Sequence, residues 1–295
     1  MTSPVDFEVP ADGLNMVVCI KQVPDSAQIR VHPVTNTIMR QGVPTIINPY
    51  DLFALEEAMR LRDQYGGKVT VLTMGPPMAE DALRRALGFG ADDAVLITDR
   101  FFAGSDTLAT SFALATALGT LGKDRAIDIV FTGKQTIDGD TAQVGPGIAS
   151  RLNLNQLTYV SAIDTLDREK GEITVRRRAE GGVQVLKSKL PCLITMLEGA
   201  NDMRRGTIQD MLRAARAQPT VWSAEDAGVD DIMKCGLRGS PTVVKKVFAP
   251  SPRSEAAEMV TVEGKKPQQI GNAVVDLIFA AQPKLEAELA AEPGV

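Results

Sequence analysis

Histidine is almost missing from this sequence of 295 residues: its one copy, His32, lies between Val31 and Pro33. One histidine is too little for a histidine-built metal site or a catalytic triad, and its neighbours place it in a surface loop. Cysteine is scarce as well. Cys19, Cys192 and Cys235 are far apart, so neither a zinc spacing nor a disulfide framework exists, and a reducing compartment fits. Cys19 and Cys192 lie in apolar runs and are expected in the core. Aromatic residues make up 4% of the chain and the net charge is -5, which disfavours base-stacking platforms and a general nucleic-acid role. No apolar run approaches a membrane span. Met1 to Gly13 is acidic, without a basic start or an apolar centre, so it reads as a loose tail over residues 1–14 and not as a signal peptide. A cytoplasmic protein is expected.

What is present suits one large or two small globular domains, with 44% hydrophobic and 23% charged residues. The chain is organised around Thr132 to Gly147, dense in Gly, Asp and Thr. Ile127 to Phe131 before it reads as a buried strand, and Ile148 to Leu152 after it as helix. A loop between a strand end and a helix start is where open α/β sheets bind ligands, and a helix N-terminus suits a phosphate. Gly133, Gly139, Gly145 and Gly147 are expected to let backbone approach such a ligand. The stretch is neither a Walker loop nor the G-x-G-x-x-G fingerprint. A capped helix start, with Asp140 or Thr141 as N-cap, explains it equally well.

Strand and helix patterns alternate through the first half. Strands are expected at Asn15 to Lys21, Lys68 to Met74, Ala94 to Thr98 and Ile127 to Thr132. Helices are expected after Asn48-Pro49, from Met78 to Leu87 and from Thr107 to Leu121. A small hairpin is expected around Asn36. This rhythm predicts a Rossmann-like parallel sheet. After Asn155 it changes to successive strands, Thr158 to Leu166, Glu172 to Ala179, Gly182 to Lys189 and Cys192 to Leu197, an antiparallel or mixed extension of the same sheet. A short basic helix follows from Thr207 to Arg216. From Pro219 the chain turns irregular, with strand candidates at Thr242 to Phe248 and Met259 to Glu263 and a final helix from Gln268 to Leu289. Residues 15–219 are thus expected to form the main domain, and 220–295 an arm with little core of its own, lying either on the chain's own main domain or, the favoured reading, on a partner subunit.

Several strands end in polar or Gly-bearing turns: Lys21-Gln22, Met74-Gly75 and the central loop, with Asn48 capping a helix at the same edge. Together they suggest a nucleotide-sized pocket. Lys21 and Lys134 could balance phosphate charge, or could be two solvated lysines. Asp138 and Asp140 could form a carboxylate pair, but no third ligand or His accompanies them. Arg176-Arg177-Arg178 reads first as a solvated strand face and second as a partner contact.

These residues resemble the β subunit of an electron-transfer flavoprotein. The similarity runs through Val175, Arg177, Glu180-Gly181-Gly182, Gln184, Leu186, Pro191 and Leu193-Ile194-Thr195. It continues in Lys21-Gln22-Val23-Pro24-Asp25, Asn48-Pro49, Gly75-Pro76 and Gly133-Lys134-Gln135. The resemblance implies an α/β fold of the adenine-nucleotide-hydrolase type with an arm wrapped on an α subunit. It also implies a bound nucleotide, at positions matching Cys19, Asn48, Tyr50, Asp51, Met74, Asp138, Gly139, Asp140, Thr141, Ala142, Gln143, Val144, Gly145, Pro146, Gly147 and Ala149. Lys21, Gly75, Gly133, Lys134 and Gln135 complete the expected cofactor-binding set, and no catalytic acid or base is assigned.

In the family's housekeeping branch the nucleotide is AMP. Here Gly139 stands in what that branch fills with a third acid, which removes a side chain and a charge. With Gly239-Ser240-Pro241-Thr242 downstream, this form resembles the electron-bifurcating, Fix-type branch associated with nitrogen fixation. That likeness implies FAD in this subunit and NADH as hydride donor. One electron would go to a low-potential ferredoxin or flavodoxin, the other through the α-subunit FAD to quinone. The implied partners are the α subunit, a quinone oxidoreductase and a ferredoxin-like protein. Ala200, after Gly199, aligns with a Leu that anchors dehydrogenases in the housekeeping branch, which implies a dedicated partner instead.

Overall fold

A computed structural model describes residues 13–25, 30–31, 38–39, 44–243 and 259–285. His32, most of the tail and most of the strand expected at Thr242 to Phe248 lie outside these residues. The chain divides between Phe248 and Ala249 into two compact units.

The first unit is built on a nine-stranded sheet. Its centre is β1 (Leu14–Cys19), flanked by β6 (Gly67–Met74) and β8 (Ile129–Gly133), both parallel to it. All six residues of β1 are buried, as a strand covered on both faces requires. Its side chains alternate: Met16 and Val18 join one core, Val17 and Cys19 the other. Outward from β6 lie β7 (Asp93–Ile97) and β13 (Thr220–Trp222), both parallel. Outward from β8 lie β12 (Cys192–Met196) and β9 (Asn155–Asp167), still parallel. Then β10 (Glu172–Ala179) and β11 (Gly182–Lys189) pair antiparallel, the expected extension. Two short ladders stand apart, β2 (Gln22–Pro24) with β5 (Thr45–Ile47), and β3 (Arg30–Val31) with β4 (Ile38–Met39).

Helices cover both faces. One core contains Leu55 and Met59 of α1 (Pro49–Tyr65), Leu83 and Leu87 of α2 (Glu80–Phe89) and Ala214 of α5 (Ile208–Arg216). The other contains Ala113 and Leu118 of α3 (Thr107–Asp124) and Ile148 of α4 (Val144–Leu152). Proline at the first position of α1 needs no amide partner, and Asp106 caps α3 by accepting from the amides of Leu108 and Ala109.

Three expectations change. β13 was unreadable because three residues carry no periodicity. It pairs with β7, and Ala224, Ala227 and Cys235 behind it enter the second core. Residues 220–243 therefore pack on this chain's own sheet edge, although the expected arm began at 220. Met259 to Glu263 forms no strand and leads into a turn. The expected final helix is interrupted: α6 (Pro267–Ala281) ends before Gln282, because Pro283 has no amide to continue the ladder; residues 283–285 are helical again, and the rest of the run to Leu289 lies outside the described residues. Described by itself, α6 has no buried residue, and Val274, Val275 and Ile278 are exposed.

Candidate functional site

The carboxyl ends of β6, β1, β8 and β12 lie side by side, and the loop after β8 crosses this edge. Asp51, in the first turn of α1, sits beneath it. One of its oxygens accepts from the Lys21 amide at 2.8 Å and the other from the Gly133 amide at 3.1 Å. A single carboxylate thus joins the ends of β1 and β8. Burial raises its pKa from 3.8 to about 7, while hydrogen bonds from Asn48, Lys21 and Gly133 and the Lys21 charge pull the other way.

Asn48 occupies the N-cap position of α1, yet its side chain makes no cap bond. Fully buried, it serves the loop instead: its amide donates to the Gln135 carbonyl at 2.8 Å, and its oxygen accepts from the Ile137 amide at 3.1 Å. Lys21 Nζ donates to both Asp138 oxygens, at 2.8 and 2.9 Å. Burial pushes the Asp138 carboxyl up, but the Lys21 hydrogen bonds and charge, with help from Thr136, outweigh it and leave the group below the usual range. Lys134 Nζ lies 3.2 Å from Glu198 and 4.9 Å from the centre of the Tyr50 ring. Arg178 binds the same Glu198 at 3.1 Å. Both lysines read as candidate phosphate cations thus have carboxylate partners, and of the arginine run Arg178 reaches this network.

The helix after the loop starts at Val144, not Ile148, and neither Asp140 nor Thr141 is its cap. The N-cap position is Gln143, with no side-chain cap bond. Asp140 and Ala142 are still turning, at φ 51° and 54°, and Asp140 accepts from the Gln135 side chain at 2.7 Å. Gln143 Oε1 is taken by the Thr107 hydroxyl at 2.8 Å. Residues 138–141 and 143 are exposed, with Ala142 partly covered. So α4 follows a solvent-facing loop, and among the described residues no side-chain cap closes its start.

The glycines are also called for by packing within the chain. A Cβ on Gly133 would lie 2.5 Å from Asp51 Oδ1 and 2.6 Å from Tyr50 Cβ. On Gly145 it would meet Thr132 Oγ1 and Thr195 Cγ2 at 2.9 Å, and on Gly147 the Ser111 side chain at 2.8 Å. Gly133 and Gly145 let α1 and α4 close onto the strands, and Gly147 lets α4 close onto α3. Gly139 is the looser one: a Cβ would sit 3.1 Å from the Thr136 hydroxyl. Gly75 is close-packed too, with a Cβ at 2.9 Å from Ala79.

One hydrogen-bonded network therefore unites Lys21, Asn48, Asp51, Gly133, Gln135, Asp138 and Asp140, with Lys134, Tyr50 and Glu198 at its side. Cys19, Met74 and Ala149 flank it at the strand ends and in α4. Cys19 is buried in the second core, and burial with the Asp51 charge pushes its thiol to about 12, so it remains a small neutral group beside Asp51. Among the described residues no cluster of three or more His, Cys, Asp or Glu could hold a metal, and no helix is long and apolar enough to cross a membrane.

Sequence reasoning missed Glu198, Thr107 and Asp106. Asp106 also accepts from the Thr242 amide and hydroxyl, and its own amide donates to Ser240. The Gly239 to Thr242 run is thereby tied to the helix whose Thr107 holds Gln143. An Asp before a helix is a readable cap, but a partner 134 residues away is not. Ala200 is half-buried against the first core, and the first exposed large apolar side chains after it in the chain are Ile208, Met211 and Leu212 on α5.

Among known proteins, the electron transfer flavoprotein domain matches residues 35–227. The chain is 70% identical over 279 residues to protein FixA of Azorhizobium caulinodans, covering 94% of this chain and 98% of that one. It is 63% identical over 277 residues to protein FixA of Azotobacter vinelandii, with 94% and 99% covered. It is 48% identical over 233 residues to the electron transfer flavoprotein subunit beta of Clostridium acetobutylicum, with 79% and 87% covered.

Proposed function

Since this chain belongs to the electron transfer flavoprotein family, with relatives that include β subunits, we propose that it is a β-type subunit that holds FAD beneath the loop after β8 and takes part in electron bifurcation from NADH to a low-potential ferredoxin or flavodoxin and to quinone. The observation that carries the reading is the start of α4. Pro146 has no amide N–H, and Gly147 donates to the Gln143 carbonyl. That leaves Val144 and Gly145 as the amides that could meet a ligand, with no side-chain cap from Gln143, where the helix field favours an anion. The carboxylates nearby do not oppose one. Asp138 is neutralised by Lys21 and Asp140 accepts from Gln135. Gly139 adds no side chain at the turn, which favours a diphosphate over a monophosphate. When bound, FAD accepts a hydride as an electron pair and can release electrons one at a time.

In this reading the residues bind and orient. Asn48 fixes the loop through Gln135 and Ile137. Lys21 supplies an exposed positive charge at this edge while keeping Asp138 neutralised. Cys19, Met74 and Ala149 line the site with apolar surface. Tyr50 and Lys134 close the side facing Glu198. The second unit embraces an α-type subunit, supported by a helix, α6, whose apolar residues find no core of their own. A quinone oxidoreductase and a ferredoxin-like protein complete the assembly and give its contact with a membrane; this chain itself is cytoplasmic.

The test is coupling. In the assembled complex, NADH oxidation is expected only when a quinone-side acceptor and a low-potential ferredoxin or flavodoxin are both supplied. Steady turnover with the quinone-side acceptor alone would contradict bifurcation and leave a one-electron shuttle with structural AMP.

A further inference from the structure

We propose that Asp51 is the positioning residue of this site, a clasp that sets the ends of β1 and β8 and takes up a proton when an anionic nucleotide is seated above them. This rests on the reading that the loop binds such a nucleotide. The geometry is specific. Asp51 spends one oxygen on the Lys21 amide and the other on the Gly133 amide, and those two residues lead directly into the two sides of the site. The Lys21 side chain goes on to Asp138, and Gly133 is followed by Lys134. The closeness is enforced, because no Cβ fits between Gly133 and Asp51.

The surroundings make the carboxyl responsive. The groups facing it are Cys19 on β1, Tyr50 beside it on α1, and Lys21 at the end of β1. Lys134 follows Gly133. Asp138 and Glu198 are reached through the two lysines. Cys19 stays a neutral thiol at neutral pH, so Lys21 is the charge that favours the ionised form of Asp51. A phosphate placed near Lys21 shares that charge and adds negative charge of its own. Both changes favour the protonated carboxyl, and burial has already moved the group to neutrality, where a modest push changes its state. By linkage, seating the anion draws a proton from solution.

The experiment is calorimetric titration of FAD into the nucleotide-free assembly, slightly above neutral pH, in buffers of differing ionisation enthalpy. FAD is the probe because its phosphodiester groups do not titrate near neutrality. Wild type is expected to take up a measurable part of a proton per chain, up to about one, and Asp51→Asn to take up none. Asp51→Glu should restore uptake at a shifted pH, which a merely structural role would not do. Equal uptake in wild type and Asp51→Asn, with FAD bound in both, overturns the proposal while leaving the binding site standing. No heat from FAD or AMP in wild type overturns the nucleotide reading and this proposal with it. Should Asp51→Asn fail to fold, wild-type uptake alone decides: a maximum near neutrality supports the clasp, and a flat profile overturns it.

Discussion

A carboxylate held between two backbone amides gains hydrogen bonds and loses hydration. At Asp51 the loss is larger, so its pKa rises from 3.8 to about 7. The folded chain then holds this proton more tightly than the unfolded chain does. Its stabilising contribution is complete below 3.8 and is lost as pH rises to about 7, at ~1.4 kcal/mol per pH unit while the two states differ by a full proton. Asp63, Asp106 and Asp138, held below the usual range, pull the opposite way, so the slope belongs to the difference: urea unfolding across that window should show stability falling with pH more steeply in wild type than in Asp51→Asn. A steeper slope in the variant would contradict the assignment. Gly133 tests the same spot by volume. Gly133→Ala places a methyl 2.5 Å from Asp51 Oδ1, and the overpacking should cost about 2 kcal/mol or more, read as a lower melting temperature. Gly139→Ala meets only the Thr136 hydroxyl at 3.1 Å and should cost well under half as much.

Whole elements answer to local chemistry where their signals are local. The bounds of β10 and β11 follow from Glu180-Gly181-Gly182, a tight turn between alternating runs. α5 begins where Thr207 and Asp210 form a reciprocal capping box; Thr207→Ala should lower stability by ~1 kcal/mol, measured by denaturant midpoint. α4 shows why the rest was illegible. Gly145, Pro146 and Gly147 argue against helix by propensity, yet Pro146 stands in the first turn, where its missing amide costs little. The glycines are required because Thr132, Thr195 and Ser111 crowd the helix from neighbouring elements. The same logic covers the site. That Lys21, Asn48 and the loop after β8 share an edge follows from strand order. That Asn48 abandons its cap for Gln135 and Ile137, or that Lys134 faces Glu198, depends on contacts 60 or more residues apart, which no spacing announces.

Across the whole molecule the two units differ in what they bury. The first has two cores, one on each face of the sheet. The second offers a 15-residue helix with no buried side chain. If that helix grips an α-type subunit, Val274→Lys with Ile278→Lys should leave the melting temperature of the isolated chain unchanged and weaken assembly with the α-type subunit at least tenfold, read by co-purification or ultracentrifugation. An unchanged complex would free α6 from that role. Cofactor content reports what lies beneath the loop after β8. The co-expressed complex with the α-type subunit would be denatured, and FAD and AMP released per heterodimer counted. About two FAD and little AMP is the predicted result; one FAD with one AMP would contradict a flavin in this chain.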